Sequence, residues 1–266
     1  IPLDLDSAPP PPPSPPASSE RSGPSANVRV VSASADYRMG DHDTRSDAVR
    51  MAVEAAKRDA LEQVATYLER VTEVRNLDVT RDEIRSYTAG IVMVLDQKIS
   101  TSLDGDTVVI HADLRAQVDR GEVAQAIAAL RDNESARTEL AALRAETDEL
   151  HQQLEAANQA LAAASSPEQV QSLSQQREDL LNQLQANALV SQAWTDWVYV
   201  TPVISPSPWI GVQQVRGLLR QAQHLYPRHR HLPILQQIVT TQAGALPPFS
   251  PGTPLPGPPS SLLVPP

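Results

Sequence analysis

The sequence has no cysteine, a single Phe and only two lysines, Lys57 and Lys98. Without thiols there are no disulfides and no cysteine-held zinc or iron–sulfur centres, and the redox compartment is left open. With a net charge of -10 and no lysine-rich stripe to offset it locally, nucleic-acid phosphates are repelled, so no nucleic-acid partner is expected. Five Tyr, three Trp and the one Phe are the only large aromatics. Much of the apolar count is Ala, which suits slender helices better than the thick core of a large enzyme. No apolar run approaches the roughly 20 residues that a membrane-crossing helix needs.

Motifs of catalysis are missing too. There is no glycine-rich phosphate loop, nucleophile elbow, zinc-protease helix or recognisable pair of glycosidase carboxylates. Catalysis is not expected, and neither is a cofactor.

Proline is present in quantity, but 18 of the 24 prolines lie before residue 25 or after residue 246. Residues 1–27 and 243–266 are therefore expected to be disordered, proline-rich tails. The run Pro9 to Pro13 favours extended polyproline geometry and reads as a tether ahead of a ligand for a proline-binding domain. The chain opens with Ile1. A signal peptide removed before Ile1 would make the protein periplasmic or exported; a trimmed chain would explain that start equally well.

Residues 28–120 read as a small α+β domain. NVRVVSASADY, rich in small and β-branched residues, predicts a first strand. Asp43 or Thr44 can cap a long helix in which Ala48, Met51, Ala52, Ala55, Val64, Leu68 and Val71 recur at helical spacing to about Arg75. A short helix over Asp78 to Tyr87 follows, opened by Thr80 with Glu83 in a capping-box pattern, and Gly90 is expected to break it. Two alternating runs come next. Ile91, Met93, Leu95, Ile99 and Leu103 share one face, as do Val108, Ile110, Ala112, Leu114, Ala116 and Val118. Asp104-Gly105 between them suits a tight primed hairpin turn. Asp96, Lys98, His111, Asp113 and Arg115 would form the sheet's wet face, with the long helix on the dry one.

Residues 121–190 read as coiled-coil helices. Leu140, Leu143, Thr147, Leu150, Leu154, Ala157 and Leu161 step by three and four, the seam of a heptad repeat. Ser166 and Pro167 predict a helix restart, after which Val170, Leu173, Leu180, Leu181 and Leu184 give a second apolar edge. The two helices either fold back on each other or pair with another chain; pairing between chains is the favoured expectation, which makes the protein its own partner.

In the region 191–242, Trp194, Trp197 and Trp209 beside Pro202, Pro206 and Pro208 predict a small local core, or else an exposed surface for a protein partner. Gly211 to Thr241 reads as two short helices separated near Pro227, similar to one tetratricopeptide-type hairpin. A single such unit does not bury its own face.

Two groups of residues offer chemistry. His224, His229 and His231 are the only concentration of imidazoles, but the sequence near them supplies no carboxylate and Pro227 interrupts the helical spacing, so a structural role is expected ahead of a metal site. Asp41, His42 and Asp43 sit at a strand-to-helix turn, where capping is expected ahead of catalysis or cation binding.

The segments DTRSDAVRMAVEAAKRDALEQVATYLERVTEV, RDEIRSYTAGIVMVLDQKIS and DTVVIHADLRAQV resemble the N-terminal domain of flagellar assembly protein T and related envelope proteins over residues 28–118. In that family a strand enters a long alanine-rich helix, a short helix ends in a Ser-x-x-x-Gly-like turn (here Ser86 to Gly90), and further strands close the unit. The resemblance implies a non-enzymatic protein that helps to build an assembly in the bacterial envelope. Beyond residue 120 this sequence departs from that family. The expectation is a non-catalytic envelope scaffold; the alternative is a cytoplasmic adaptor or regulator that binds a protein or peptide through its helical C-terminal region.

Overall fold

The computed structural model describes residues 28–77, 79–91, 93–200 and 208–243. The tails 1–27 and 244–266, with Pro202 and Pro206, lie outside the described residues. In chain order the elements are β1 (Val28–Arg38), α1 (Arg45–Leu68), α2 (Thr72–Arg75), α3 (Arg81–Ile91), β2 (Met93–Asp104), β3 (Thr107–Asp119), α4 (Arg120–Asp132), α5 (Glu134–Ala162), α6 (Pro167–Val200), α7 (Pro208–Leu225) and α8 (Leu232–Ala243). The fold is mixed α+β, with one antiparallel sheet in the order β1-β3-β2.

Local rules account for most of the N-terminal half. Thr44 caps α1 by accepting from the Asp47 amide. The helix buries Ala48, Ala52, Val53, Ala56, Ala60, Val64, Ala65 and Leu68. Small residues along this stripe let the helix lie close over Ile110, Ala112 and Leu114 of the central strand β3. Ala55, expected on that stripe, is exposed, and the long helix ends at Leu68, with Thr72–Arg75 forming a separate turn. The capping box on α3 is complete: the Thr80 amide donates to Glu83 Oε2 at 2.9 Å, and the Glu83 amide donates to Thr80 Oγ1 at 3.2 Å.

Two details of the sheet differ from the sequence pattern. Asp104 is the last strand residue and pairs with Thr107, so the turn is Gly105-Asp106, with Gly105 at φ 62° in its first central position. A register shift lies between Val94 and Asp96: Val94 pairs with Ala116, whereas Asp96 pairs with the next residue back, Arg115. That irregularity breaks the alternation expected to run from Ile91 to Leu103. Gly90 does not end α3, which continues to Ile91; Ser86 and Gly90 are both helical and form no turn.

The decisive difference concerns the seam. Helices α5 and α6, joined by four residues, fold back antiparallel. Leu150, Leu154 and Ala157 pack with Leu180, Leu181 and Leu184, while Leu140 and Leu143 enter the main core with Val190 and Trp194. Leu161 is buried as well, and Thr147 is half-buried. The stripe that was expected to recruit another chain is thus covered by the same chain, and the premise for pairing between chains through it falls away. A four-residue connection brings the covering surface to the seam at small loop-closure cost.

Helix α6 also runs unbroken across residue 190, where the sequence suggests a boundary. Trp194 and Trp197, 0% and 4% exposed, do not form a partner surface; they are buried with Val64 and Leu68 of α1 and Val212, Val215 and Leu219 of α7. Trp209 belongs to α7. The α7–α8 pair buries its inner face, including Leu232, Leu235 and Val239, in that same core. Among the described residues no helix is long and apolar enough to cross a membrane.

Because the seam is internal, Leu150→Asp would place an unpaired charge in a folded core and cost roughly 3 kcal/mol or more of stability. The expected result is a lowered unfolding midpoint by circular dichroism. Folded subunits released from a larger species in sedimentation would contradict it.

Candidate functional site

The histidines near residue 229 meet their partners across the fold. His229 and His231 are buried, 3% and 5% exposed, in the loop between α7 and α8, against α5 and α6. His229 Nδ1 accepts from the His231 amide at 3.3 Å, which leaves its Nε2 to donate to Asn187 Oδ1 at 2.8 Å. Asn187 Nδ2 donates onward to Thr147 Oγ1 at 3.2 Å, and Thr147 Oγ1 donates to the Leu143 carbonyl at 2.8 Å. Each donor in this chain has one acceptor, so neutral His229 satisfies the buried Asn187 and the polar break in the leucine seam. Burial pushes the His229 imidazole down to about 4; Glu146 opposes the shift, and His231 and Arg230 add to it.

His231 stands between two carboxylates on α5, with Nδ1 2.6 Å from Glu139 and Nε2 3.1 Å from Glu146. Arg230 lies 2.7 Å from Glu146. The carboxylates missing from the nearby sequence therefore come from 92 and 85 residues upstream. Among the described residues no three or more His, Cys, Asp or Glu side chains are grouped to hold a metal ion. The arrangement fastens the α7–α8 hairpin to α5.

A second polar centre occupies the β1–α1 turn. Arg177 of α6, 1% exposed, forms ion pairs with Asp43 and, at 3.2 Å, with Asp47. Asp43 also accepts from the Tyr37 hydroxyl at 3.0 Å and the Gly40 amide at 2.8 Å. Burial first, then the Asp43 charge and its hydrogen bond, pushes the Tyr37 phenol up to about 12. Asp43 is thus not the helix cap, a role that Thr44 fills. It is the counter-ion that secures the far end of the α5–α6 hairpin to the sheet domain, while the exposed Asp41 and His42 stand apart from it. Nothing in the polar run around Arg177 signals this burial.

A third group escaped sequence reasoning. On the sheet face away from α1, His111 Nδ1 lies 2.6 Å from Asp36 and its Nε2 lies 2.6 Å from Ser102 Oγ. The order is that of a nucleophile, base and orienting acid. The signal was register: Asp36 and Ser100 sit directly opposite His111 on the two flanking strands, and Ser102 lies diagonally across. Asp36 and Ser102 are exposed, and the His111 side chain is 32% exposed. The N–H groups of the central strand are committed to the ladder, and Ser102 itself stands on the outer strand β2.

No family model matches the chain, and neither a curated protein nor a solved structure matches it.

Near the other end of α6, Gln214 of α7 donates to Asp196 Oδ2 at 3.0 Å. Burial pushes Asp196 up to about 6, against the smaller opposing effect of the Gln214 hydrogen bond. The folded chain therefore holds this proton more tightly than the unfolded one, so stability is lost as pH rises from about 4 to 6. His229 acts in the opposite sense: with its folded value below the ordinary 6.5, stability is lost as pH falls from 6.5 towards 4. Asp196→Asn, which keeps an acceptor for Gln214, should raise the melting temperature at pH 7 and leave it unchanged at pH 4. His229→Gln should melt lower at pH 7 and show a flatter loss between pH 6.5 and 4. Calorimetry across this range checks both.

Proposed function

We propose that this chain is a non-catalytic assembly protein of the bacterial cell envelope that works by binding a protein partner. What supports the non-catalytic part is the use to which the chemistry-bearing side chains are put. His229 and His231 fasten one helical hairpin, Arg177 and Asp43 fasten another, and the Ser102–His111–Asp36 row stands on an exposed sheet face. The last of these carries the reading, since it is the one arrangement whose chemistry would argue against it.

The envelope assignment rests on the resemblance of residues 28–118 to the flagellar assembly domain. The element order, with the one-turn α2 added between the long and the short helix, supports that reading, while the turn it implies at Ser86 to Gly90 is helix instead. With the leucine seam covered internally, the partner is met elsewhere. The sheet offers a polar face and two outer strands, and no strand among the described residues pairs with the outer edge of β2, which spans 12 residues. Such an edge is a template for a partner's strand. Lys98 on β2 and the neighbouring Asp96 guard it against indiscriminate pairing.

A fluorophosphonate probe is expected to leave Ser102 unlabelled in the native chain, as judged by mass spectrometry. Stoichiometric labelling that is lost in His111→Ala would replace this reading with a hydrolase. Fractionation of cells that produce the natural gene product tests the compartment: recovery in the cytoplasm would favour an adaptor in place of an envelope component.

A further inference from the structure

The helices leave β2 bare. Helix α1 lies over β1 and β3, and of the β2 side chains from Asp96 to Asp104, Ile99 alone is half-buried while the rest are exposed. Leu103 stands 73% exposed, more than any other large hydrophobic side chain among the described residues. Ile99 pairs with Ala112 and Leu103 with Val108, so both stand on the face that α1 covers elsewhere. Lys98 and Asp104 share the opposite, polar face, and Lys98 has no ion-pair partner among the described residues. The outer backbone edge of the same strand carries no neighbour among the described strands.

The run Lys98 to Asp104, KISTSLD, is complementary to itself when turned end for end. With Thr101 on a twofold axis, Lys98 of each copy faces Asp104 of the other, Ile99 faces Leu103 and Ser100 faces Ser102. Each face meets its like: two ion pairs form on the polar side, and two apolar pairs cover Leu103 on the other. Arg38 takes Oδ2 of Asp104 and leaves Oδ1 for the incoming ammonium. Registers nearer the start of the strand are poorer. An axis at Ser100 sets Asp96 against Asp104, one at Ile99 sets Lys98 against Ser100, and one at Lys98 sets that lysine against itself. An axis at Gln97 runs the ladder into the irregularity between Val94 and Asp96. Axes beyond Thr101 shorten the ladder.

We infer that β2 of one copy pairs antiparallel with β2 of a second copy through Lys98 to Asp104, joining two sheets in the order β1-β3-β2-β2-β3-β1. The inference rests on the reading of this edge as the partner surface, and it names the occupant. Such a contact is isologous and closes on itself, so the product is a dimer. The interface is small, which sets the dissociation constant in the micromolar range. The net charge of -10 opposes approach, but at about 0.15 M salt that repulsion is screened beyond roughly 8 Å, whereas the paired charges are in contact.

The test is sedimentation velocity of the full chain at about 100 µM, well above a micromolar dissociation constant. A dimer is expected. Lys98→Asp and Asp104→Lys, both at exposed positions, each set like charges opposite at two symmetry-related places, and each alone should weaken the dimer about tenfold. Mixed one to one, the two variants oppose unlike charges at both places, and the dimer should return. Amide hydrogen exchange should find β2 protected in the wild-type dimer and released in either variant alone, with circular dichroism to confirm that both variants fold. A wild-type monomer at this concentration, a dimer indifferent to either substitution, or a mixture of folded variants that stays monomeric would each overturn the proposal. A monomer would leave the edge to another protein's strand and the assembly reading intact. Labelling of Ser102 or recovery in the cytoplasm would remove that reading and leave the dimer standing.

Discussion

The structure depends on the need to cover helix α6. From its middle onward this helix buries residues on more than one face, Leu180, Leu181 and Leu184, then Ala186, Val190, Ala193, Trp194, Trp197 and Val198, and leaves Gln185, Ala188 and Gln192 as an exposed stripe. A helix buried this broadly is stable in water only when neighbours enclose it. Here α5, α3 and α7 each supply a wall, while α1 and α4 meet the same core from the sheet side. The small sheet domain and the C-terminal hairpin are thus two sides of one core, and residues from Val31 in β1 to Val239 in α8 belong to it.

Enclosure of this kind limits where polar groups can stand, and the fold handles each case by pairing. Arg177 is nearly inaccessible yet meets two carboxylates, and Asn187, fully buried, has both ends of its amide engaged. Removing one partner of such a set leaves the other uncompensated, which costs far more than the pair contributes. These contacts therefore act as selectors of docking geometry. Asn187 can meet Thr147 and His229 together only when the α5–α6 register and the position of the 226–231 loop are both correct. A one-turn slip of α5 on α6 would strand the amide, although the leucines themselves would tolerate the slip.

What could be read from the sequence follows the range of the interaction. Caps, the hairpin and the stripe on β3 are settled within a few residues, and Thr80 with Glu83, or Ile110 to Val118, stand as their spacing implies. The leucine seam was equally legible as a stripe. Its partner was not, because period alone does not say whether the covering surface comes from the same chain. For Trp194 and Trp197 burial was legible but its extent was not: a cluster beside prolines suggested a small local core, whereas both belong to the main core with α1 and α7. The carboxylates of His231 lie on α5, and no local window contains both. Arg177 is the extreme case, a charge in a glutamine-rich run whose burial is decided by a turn more than 130 residues away.

The same distinction separates structural from functional polarity in this molecule. A buried polar group whose hydrogen bonds close within the fold, as those of Asn187 do, is explained by docking and needs no ligand. A group that the core holds largely out of water but does not satisfy, such as the His151 ring, is held at a cost that the fold does not recover by itself. The networks of Asn187 and His231 close within the fold, whereas Arg177 meets two carboxylates through its terminal nitrogens and keeps an unpartnered Nε among the described residues. Unpartnered buried polar atoms are spread over three helices among the described residues: Arg85 Nε on α3, the His151 ring and Asn158 Oδ1 on α5, and Arg177 Nε and Trp194 Nε1 on α6. Because these atoms are scattered, an unpartnered nitrogen does not by itself mark a place where the molecule meets something else.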